Sequence, residues 1–321
     1  MAPLPRIKDL AVDQAGHGYF LCSRKDVRTT KSGTPFMLFS LHDATGEIAG
    51  KLFDDVARYR DQFEAGEFVR VEGHTEVYNG RLELVAHRIR RVNAGPDGDE
   101  GFRESDCIPS SPRRDDDMWA ELTGRVGEMA HAGLRALVTR LVADNEAQLR
   151  RWPAAMNVHH AYRGGLLEHL LQVARVCRAL GEIYDADQDL LLAGAILHDI
   201  GKLRELDYDL TTSYTREGCL VGHIAIGLTM VREASQGLAS LSSDCREELE
   251  HLIASHHGSR EFGSPVEPAS IEAFILAMAD DLDAKLFQVR KHIADDEGAG
   301  AFTAYHSRLK RVFLKPPGAA P

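Results

Sequence analysis

The chain lacks long hydrophobic runs and paired cysteine motifs. Its longest apolar stretch, LLLAGAIL at residues 190–197, is well short of the ~18 apolar residues of a membrane-spanning helix. The first ten residues, MAPLPRIKDL, lack the apolar segment of a secretory signal peptide. The five cysteines are scattered without CxxC spacing, which argues against a disulfide framework or a zinc knuckle. These absences predict a protein of the reducing cytoplasm that does not enter a membrane.

An excess of basic residues is also missing. The formal net charge is −11, and residues 1–92 contain 14 Lys and Arg against 13 Asp and Glu, whereas the remainder contains 24 against 36. An acidic chain repels polyanions at long range. If nucleic acid binds, the attraction must therefore come from a local basic surface or from bound cations.

Five short β-rich segments separated by turn signals occupy residues 18–92. The turns are KSGTP, DATGE and YNGR, and one short helical pattern, DVARYRDQFEAG, lies between the third and fourth segments. This arrangement is typical of a small OB barrel, and residues 26–54 resemble the OB modules of anticodon-binding and related single-strand-binding proteins. In the second strand, alternation favours Met37, Phe39 and Leu41 as the core face.

The opposite face of that strand offers candidates for nucleic-acid contact. Phe36 or Tyr78 could stack on a base, although most aromatic residues in so small a barrel belong to its core. Basic residues occur near the first turn and at the end of the last strand, nearly balanced by acids: Arg24, Lys25, Arg28, Lys31, Arg88, Arg90 and Arg91.

The composition changes after the predicted barrel. Residues 93–117 are rich in Gly, Pro, Ser and Asp and are predicted to form a linker. Residues 118–313 show apolar residues at three- and four-residue spacing, which predicts a helical domain. The last residues, 314–321, are predicted to be a flexible tail. A chain of 321 residues has room for these two domains.

Imidazoles and carboxylates interrupt several apolar helical stretches of the second domain. Singly, each has an ordinary explanation: a satisfied core histidine, a histidine pair at a helix C-terminus, or a solvent-facing acidic pair. Together they favour a shared divalent metal centre, because burying so many unpaired polar groups would cost several kcal/mol each. The candidate ligands are His169, His198, Asp199, His223, His256 and His257, with Asp280 or Asp281 from the acidic pair.

This order of residues, with LHDIGK as its most specific string, resembles the HD-domain phosphohydrolase superfamily. The segments HHAYRGGLLEHLLQVA, TSYTREGCLVGHIAIG and EHLIASHHGSREFGSPVEP, and CIPSSP near the linker, are similar to the YhaM-type 3′-to-5′ exoribonucleases. The resemblance covers nearly the whole chain. It implies a small all-β OB barrel in residues 1–92, followed by an all-α HD domain in residues 118–313.

The resemblance also implies roles for the ligands. His169, His198, Asp199 and Asp280 would hold one metal, with Asp199 bridging to a second metal held by His223 and by one or both of His256 and His257. Asp281 and Asp283 would be surface or outer-shell residues. Mixed nitrogen and oxygen ligation favours Mn²⁺ or Fe²⁺ over Mg²⁺. Lys202 could neutralise a phosphate oxygen, or simply complement a helix dipole.

The implied function is a metal-dependent 3′-to-5′ exonuclease. It would trim single-stranded RNA, or alternatively DNA, to nucleoside 5′-monophosphates with water activated by two metals. Two alternatives stay open: an HD-domain phosphohydrolase of nucleotides or cyclic (di)nucleotides, and a non-catalytic nucleic-acid-binding scaffold.

Two further features have more than one interpretation. His159, His160 and Arg163, with Gly164 and Gly165, could contact a terminal nucleotide, or the glycines could form a plain turn. A homo-oligomer is compatible with the sequence, and the apolar helical residues 228–231 are a candidate interface.

Overall fold

A computed structural model describes most of the chain, namely residues 2–30, 33–156, 160–296 and 298–316. The chain divides into two compact units, Met1–Ser110 with Tyr208–Thr212 and Ser111–Asp207 with Ser213–Pro321. Of the candidate residues, Lys31 and His159 lie outside the described ranges, as do residues 317–321 of the predicted tail. None of the described helices is both long enough and apolar enough to cross a bilayer.

The first unit contains a closed five-stranded barrel, which confirms the predicted OB fold. Around the barrel the strand order is β1-β2-β3-β5-β4, with β3 and β5 parallel and the other described pairs antiparallel. The elements are β1 (Ala15–Thr29), β2 (Pro35–Asp43), β3 (Gly46–Leu52), the helical turn α1 (Val56–Tyr59), β4 (Glu67–Tyr78) and β5 (Arg81–Arg91).

Alternation in β2 determines which side chains fill the barrel. Met37, Phe39 and Leu41 are buried, whereas the residues between them are only half-buried, which confirms the predicted core face. Across the pair, Phe39 lies opposite Gly50 of β3. A Cβ atom at Gly50 would be 1.9 Å from Cε2 of Phe39, so the phenyl ring occupies the space that any other residue would need.

The structure differs from the predicted linker at residues 93–117. Two short helices form there, α2 (Ala94–Asp99) and α3 (Glu104–Cys107). In α2 the carboxylate of Asp97 is buried and accepts two hydrogen bonds from the Arg90 guanidinium, both 2.7 Å long, and one from the backbone N–H of Asn93. Composition could not show this, because the partner that orders the segment lies on strand β5.

The Asp97 carboxylate is expected to stabilise the first unit. The Arg90 guanidinium, against the effect of burial, lowers the pKa of Asp97 from 3.8 to about 2. Asp97→Asn should therefore lower the free energy of unfolding by about 2 kcal/mol at pH 7. A depressed folded-state pKa contributes stability above pH 3.8 that is lost as the pH falls through 2. The difference between wild type and variant in urea denaturation should thus shrink in acid.

Asp99→Asn is the matched control for this substitution, because Asp99 is exposed on the same helix. Its unfolding midpoint should match that of the wild type at both pH values. Equal effects of the two substitutions would contradict a special role for the buried carboxylate.

Helices dominate the second unit, as predicted. They are α4 (Asp115–Gly127), α5 (Ala132–Asp144), α6 (Glu146–Leu149), α7 (Gly165–Ile183), α8 (Gln188–Leu197), α9 (Lys202–Glu205), α10 (Arg216–Val221), α11 (His223–Ser235), α12 (Ser243–Ser255) and α13 (Ile271–Ala294). A short hairpin, β6 (Leu206–Tyr208) and β7 (Thr212–Tyr214), follows α9.

Side-chain caps fix where three of the longer helices begin. Asp187 accepts hydrogen bonds from two backbone N–H groups at the start of α8, and Ser242 and Ser270 each accept one at the start of α12 and α13. These helices pack with α7 around a continuous core of leucine, isoleucine and valine side chains. The caps therefore also set where the polar residues of each helix fall relative to that core.

Two sequence predictions in this unit differ from the structure. Within residues 228–231, Met230 and Val231 are buried in the core of the unit, so this segment is not available as an interface. At the start of the predicted tail, the buried side chain of Lys315 forms an ion pair with Asp296. The backbone of Leu314 pairs with that of Phe302 in an isolated antiparallel β-bridge. The described part of the tail is therefore folded.

Candidate metal centre

All seven candidate metal ligands lie together inside the second unit. His169 lies within α7, Asp280 lies within α13, and His223 is the first residue of α11. The other four directly follow the ends of two helices: His198 and Asp199 follow α8, and His256 and His257 follow α12. Their side chains are buried or half-buried, so five helices deliver imidazoles and carboxylates to one enclosed place.

A first group of ligand atoms surrounds His169. Its Nε2 lies 3.2 Å from Nε2 of His198 and 3.3 Å from Oδ1 of Asp280. Oδ2 of Asp199 lies 3.6 and 3.5 Å from the same two histidine nitrogens. Four ligand atoms thus face one another at distances that a single ion between them would explain.

A second group lies on the other side of Asp199. Its Oδ1 is 3.5 Å from Nε2 of His223 and 3.7 Å from Nε2 of His256. Within the described part of the chain, these three buried atoms have no hydrogen-bond partner. Leaving them so would be costly, and a cation would satisfy all three at once. The two oxygens of Asp199 therefore face different groups, which is the arrangement of a bridging carboxylate.

Both members of the histidine pair are available to the second group. His256 donates from Nδ1 to the carbonyl of Ile253 (2.7 Å), and His257 donates from Nδ1 to the carbonyl of Phe262 (2.8 Å). Each ring therefore keeps its Nε2 lone pair for a ligand. His257 lies with His223 and His256 in one cluster whose ligand atoms are within 4.8 Å of one another.

Two carboxylates orient these histidines: Asp283, which the sequence left as a surface or outer-shell residue, and Glu205, which the sequence did not single out. Asp283 accepts from Nδ1 of His169 at 2.8 Å, and Glu205 accepts from Nδ1 of His223 at 3.2 Å and from its backbone N–H at 2.9 Å. Asp283 follows Asp280 by three residues, so it lies on the same helix face, a signal that was available. Glu205 reaches His223 through the tertiary fold, and no sequence pattern marks it.

Charge interactions keep the shared carboxylate ionised. Burial raises the pKa of Asp199, but the Lys202 ammonium, whose Nζ is 2.6 Å from Oδ2, and His198 hold that pKa well below its usual value. Burial lowers the pKa of His256 well below 6.5, so this ring is neutral and able to ligate. Against the effect of burial, the carboxylates of Asp280 and Asp283 raise the pKa of His169 to about 9, so this ring must release a proton when it binds a metal.

The side chain of Lys202 points toward the centre rather than into solvent. It lies in α9, immediately after the LHDIG segment, and is only 11% exposed. Its ion pair is with Oδ2 of Asp199, so it places a positive charge beside the first ligand group.

The residues before α7 form a tight turn. Gly164 has φ = 75°, and a Cβ atom on Gly165 would be 2.0 Å from the carbonyl oxygen of His160. His160 contacts Asp283 through Nε2 (3.2 Å) and the hydroxyl of Tyr162 through Nδ1 (2.8 Å), whereas the carbonyl of Arg163 accepts from Ser111. The backbone geometry of the turn therefore explains the two glycines without a ligand.

The aromatic candidates, half-buried Phe36 and exposed Tyr78, lie on the barrel of the first unit. Phe36 stacks on Phe53 with ring centroids 5.9 Å apart, and Phe53 is 46% exposed. Tyr78 is 53% exposed, with Nζ of Lys51 3.7 Å from its ring centroid. Most basic candidates pair with acids, for example Arg28 with Asp26, Arg90 with Asp97, and Arg91 with Glu67.

Comparison with known proteins covers both units. The HD domain family matches residues 166–285, and the family described as an OB-fold nucleic acid binding domain matches residues 24–92. Among solved structures, the second OB-fold domain of replication protein A from Methanococcus maripaludis is 24% identical, with a TM-score of 0.24, and covers 29% of this chain and 96% of that chain.

Full-length relatives match nearly the entire chain. The 3′-5′ exoribonucleases YhaM of Bacillus subtilis (strain 168) and of Bacillus velezensis are each 36% identical over 302 residues, or 93% of this chain and 94% of each relative. This confirms the resemblance seen in the sequence motifs, and the chain belongs to the YhaM family of 3′-5′ exoribonucleases.

Proposed function

We propose that this chain shortens single-stranded RNA from its 3′ end, in a metal-dependent reaction that releases nucleoside 5′-monophosphates. The observation that carries the proposal is the position of Asp199, whose two oxygens face two separate ligand groups at 3.5–3.7 Å. Such a pair of groups suits two-metal hydrolysis of a phosphodiester. Membership of the exoribonuclease family supports the same reaction class.

The donors present fit two divalent cations. His169, His198, Asp280 and one oxygen of Asp199 would hold the first, and His223, His256, His257 and the other oxygen would hold the second. Five imidazoles with two carboxylates favour Mn²⁺ or Fe²⁺ over Mg²⁺, which prefers oxygen ligands. When bound, such ions supply positive charge for the scissile phosphate and acidify a water molecule.

The chain itself contributes orientation and charge. Asp283 and Glu205 hold His169 and His223 with their Nε2 atoms turned toward the ligand groups. The ammonium of Lys202, next to Asp199, stabilises negative charge on a phosphate oxygen that reaches the centre. Contact of His160, Arg163, Gly164 and Gly165 with the terminal nucleotide remains part of the proposal.

The barrel would hold the single strand. The exposed rings of Phe53 and Tyr78 offer stacking surfaces, whereas the charge of Lys51 next to Tyr78 is already paired with Glu83. The overall negative charge of the chain makes such local contacts necessary.

The direct test is incubation of the full chain with end-labelled RNA and DNA strands of the same sequence under Mn²⁺, Fe²⁺ or Mg²⁺. A ladder of products shortened one nucleotide at a time, with release of 5′-monophosphates, is expected for RNA under Mn²⁺. No release of mononucleotides under any of these ions would contradict the proposal. Hydrolysis of free nucleotides without activity on strands would favour the nucleotide phosphohydrolase instead.

Asp283→Asn should weaken metal binding. The amide can no longer accept the His169 proton as an ionised carboxylate does, so the His169 ring loses its orientation and basicity. We expect Mn²⁺ affinity to fall about 10- to 100-fold. Isothermal titration of the metal-free protein with Mn²⁺ measures this without reference to activity.

Asp281→Asn is the matched control, because Asp281 is exposed two positions earlier and pairs with Lys285 on the surface. Its Mn²⁺ affinity should equal that of the wild type. The same loss in both variants would mean that overall charge near the centre, rather than the contact with His169, determines affinity.

A further inference from the structure

Helix α13 has an apolar face that no described part of the chain covers. Five large side chains on it are between 43% and 58% exposed, namely Ile271, Phe274, Met278, Leu282 and Leu286. Their spacing of three and four residues places them on one face of the helix. We call this set the α13 stripe.

The opposite face of the same helix is buried. It carries Ala273 and Leu276 into the core of the second unit, and Asp280 and Asp283 toward the candidate metal centre. A helix that is apolar on both faces is normally enclosed on both. From Ile271 to Leu286 the stripe is about 23 Å long, roughly 230 Å² on a helix ~10 Å wide, so the five side chains form one contiguous apolar patch.

We propose that the α13 stripe is a homodimer interface, in which α13 packs antiparallel against α13 of a second copy of this chain. The stripe is self-complementary when one helix is reversed. In a single register, Phe274 faces Leu286 of the second copy, and Met278 faces its Leu282. The half-buried Val289 then faces Ile271, so every large side chain of the stripe meets another.

Charges beside the stripe select the antiparallel direction. Glu272 and Arg290 are 18 residues apart, which is five helical turns, so both lie along the same edge of the stripe. In the antiparallel register Glu272 comes within about one turn of Arg290 of the second copy. Parallel packing would instead leave Glu272 and Arg290 of the second copy about 27 Å apart along the helices, so this ion pair could not form.

The composition of the edges argues for a protein partner. On the other edge, Asp281 and Lys285 neutralise each other at 2.5 Å. An apolar stripe with balanced charges lacks the clustered lysine and arginine that binding to nucleic acid or an anionic membrane surface needs. Packing of apolar side chains between two helices is the association that it suits.

The experiment is sedimentation velocity of the full chain over micromolar concentrations. The wild type should sediment as a dimer, and Phe274→Glu should weaken association at least 100-fold and sediment as a monomer. Phe302→Glu is the control, because Phe302 is also 58% exposed in the same unit but lies outside the stripe, and it should leave the dimer intact. Circular dichroism verifies that each variant is folded.

Charge reversal tests the register. Glu272→Arg and Arg290→Glu should each weaken the dimer about tenfold, and the two substitutions combined should restore it. A monomeric wild type, or a dimer that persists in folded Phe274→Glu, would overturn the interface. Failure of the combined variant to recover would overturn the antiparallel register. A complex with nucleic acid that requires Phe274 would assign the stripe to another partner.

Discussion

Replacing Asp199 with asparagine should lower the rate of RNA shortening about 10³-fold, the largest loss expected of any single substitution. Oδ2 of Asp199 faces His169 and His198, and Oδ1 faces His223 and His256. An asparagine side chain has one oxygen and one N–H₂ group, so it can serve at most one of the two groups. It also removes the negative charge that holds Lys202 in place.

Single-turnover assays with end-labelled RNA measure this loss, and metal analysis shows its cause. Asp199→Asn should retain at most one Mn²⁺ per chain where the wild type retains two. Combined replacement of His198 and Asp199 by alanine should abolish activity. Asp207→Asn, an exposed carboxylate in β6, is the control and should match the wild type. Unchanged turnover in Asp199→Asn would refute a catalytic role for the shared carboxylate.

The fold was predictable from sequence where local pattern and tertiary packing agree. Alternation in β2 identified Met37, Phe39 and Leu41 as core because the barrel buries only one face of that strand. The same approach failed at residues 93–117, where composition favoured a linker. There a single buried carboxylate, Asp97, is bound by Arg90 of strand β5, and composition does not reveal such a distant pairing.

The candidate site was predictable as a set of residues but not as a geometry. Polar side chains in apolar helical surroundings identified the five histidines, Asp199 and the pair Asp280 and Asp281, because burial without partners would be too costly. The family resemblance then selected Asp280. Spacing along the chain could not tell which oxygen of Asp199 faces which group, or that both His256 and His257 keep Nε2 available. Glu205 was missed because it reaches His223 only through the folding of α9 against α11.

The glycine of the LHDIGK segment leads to the second large effect. Gly201 has φ = −63°, so its backbone conformation is open to any residue. A Cβ atom there would nevertheless lie 2.0 Å from the carbonyl oxygen of His223 and 2.7 Å from the amide nitrogen of Gly227. Both are backbone atoms of α11, and no side-chain rotation can move them away. Gly201→Ala must therefore push α11, and with it His223, away from Asp199.

We expect Gly201→Ala to lower the free energy of unfolding by about 1–3 kcal/mol, as overpacking of a tight contact does. Mn²⁺ affinity of the second ligand group should fall at least tenfold. In the wild type Nε2 of His223 lies 3.5 Å from Oδ1 of Asp199, and in the variant it would move outward. Urea denaturation and Mn²⁺ titration measure the two effects separately. Gly124→Ala in α4, where a Cβ atom would meet no atom within 4 Å, should instead be neutral or slightly stabilising. If Gly201→Ala behaved like Gly124→Ala, close packing of α9 on α11 would not be what holds His223 at the centre.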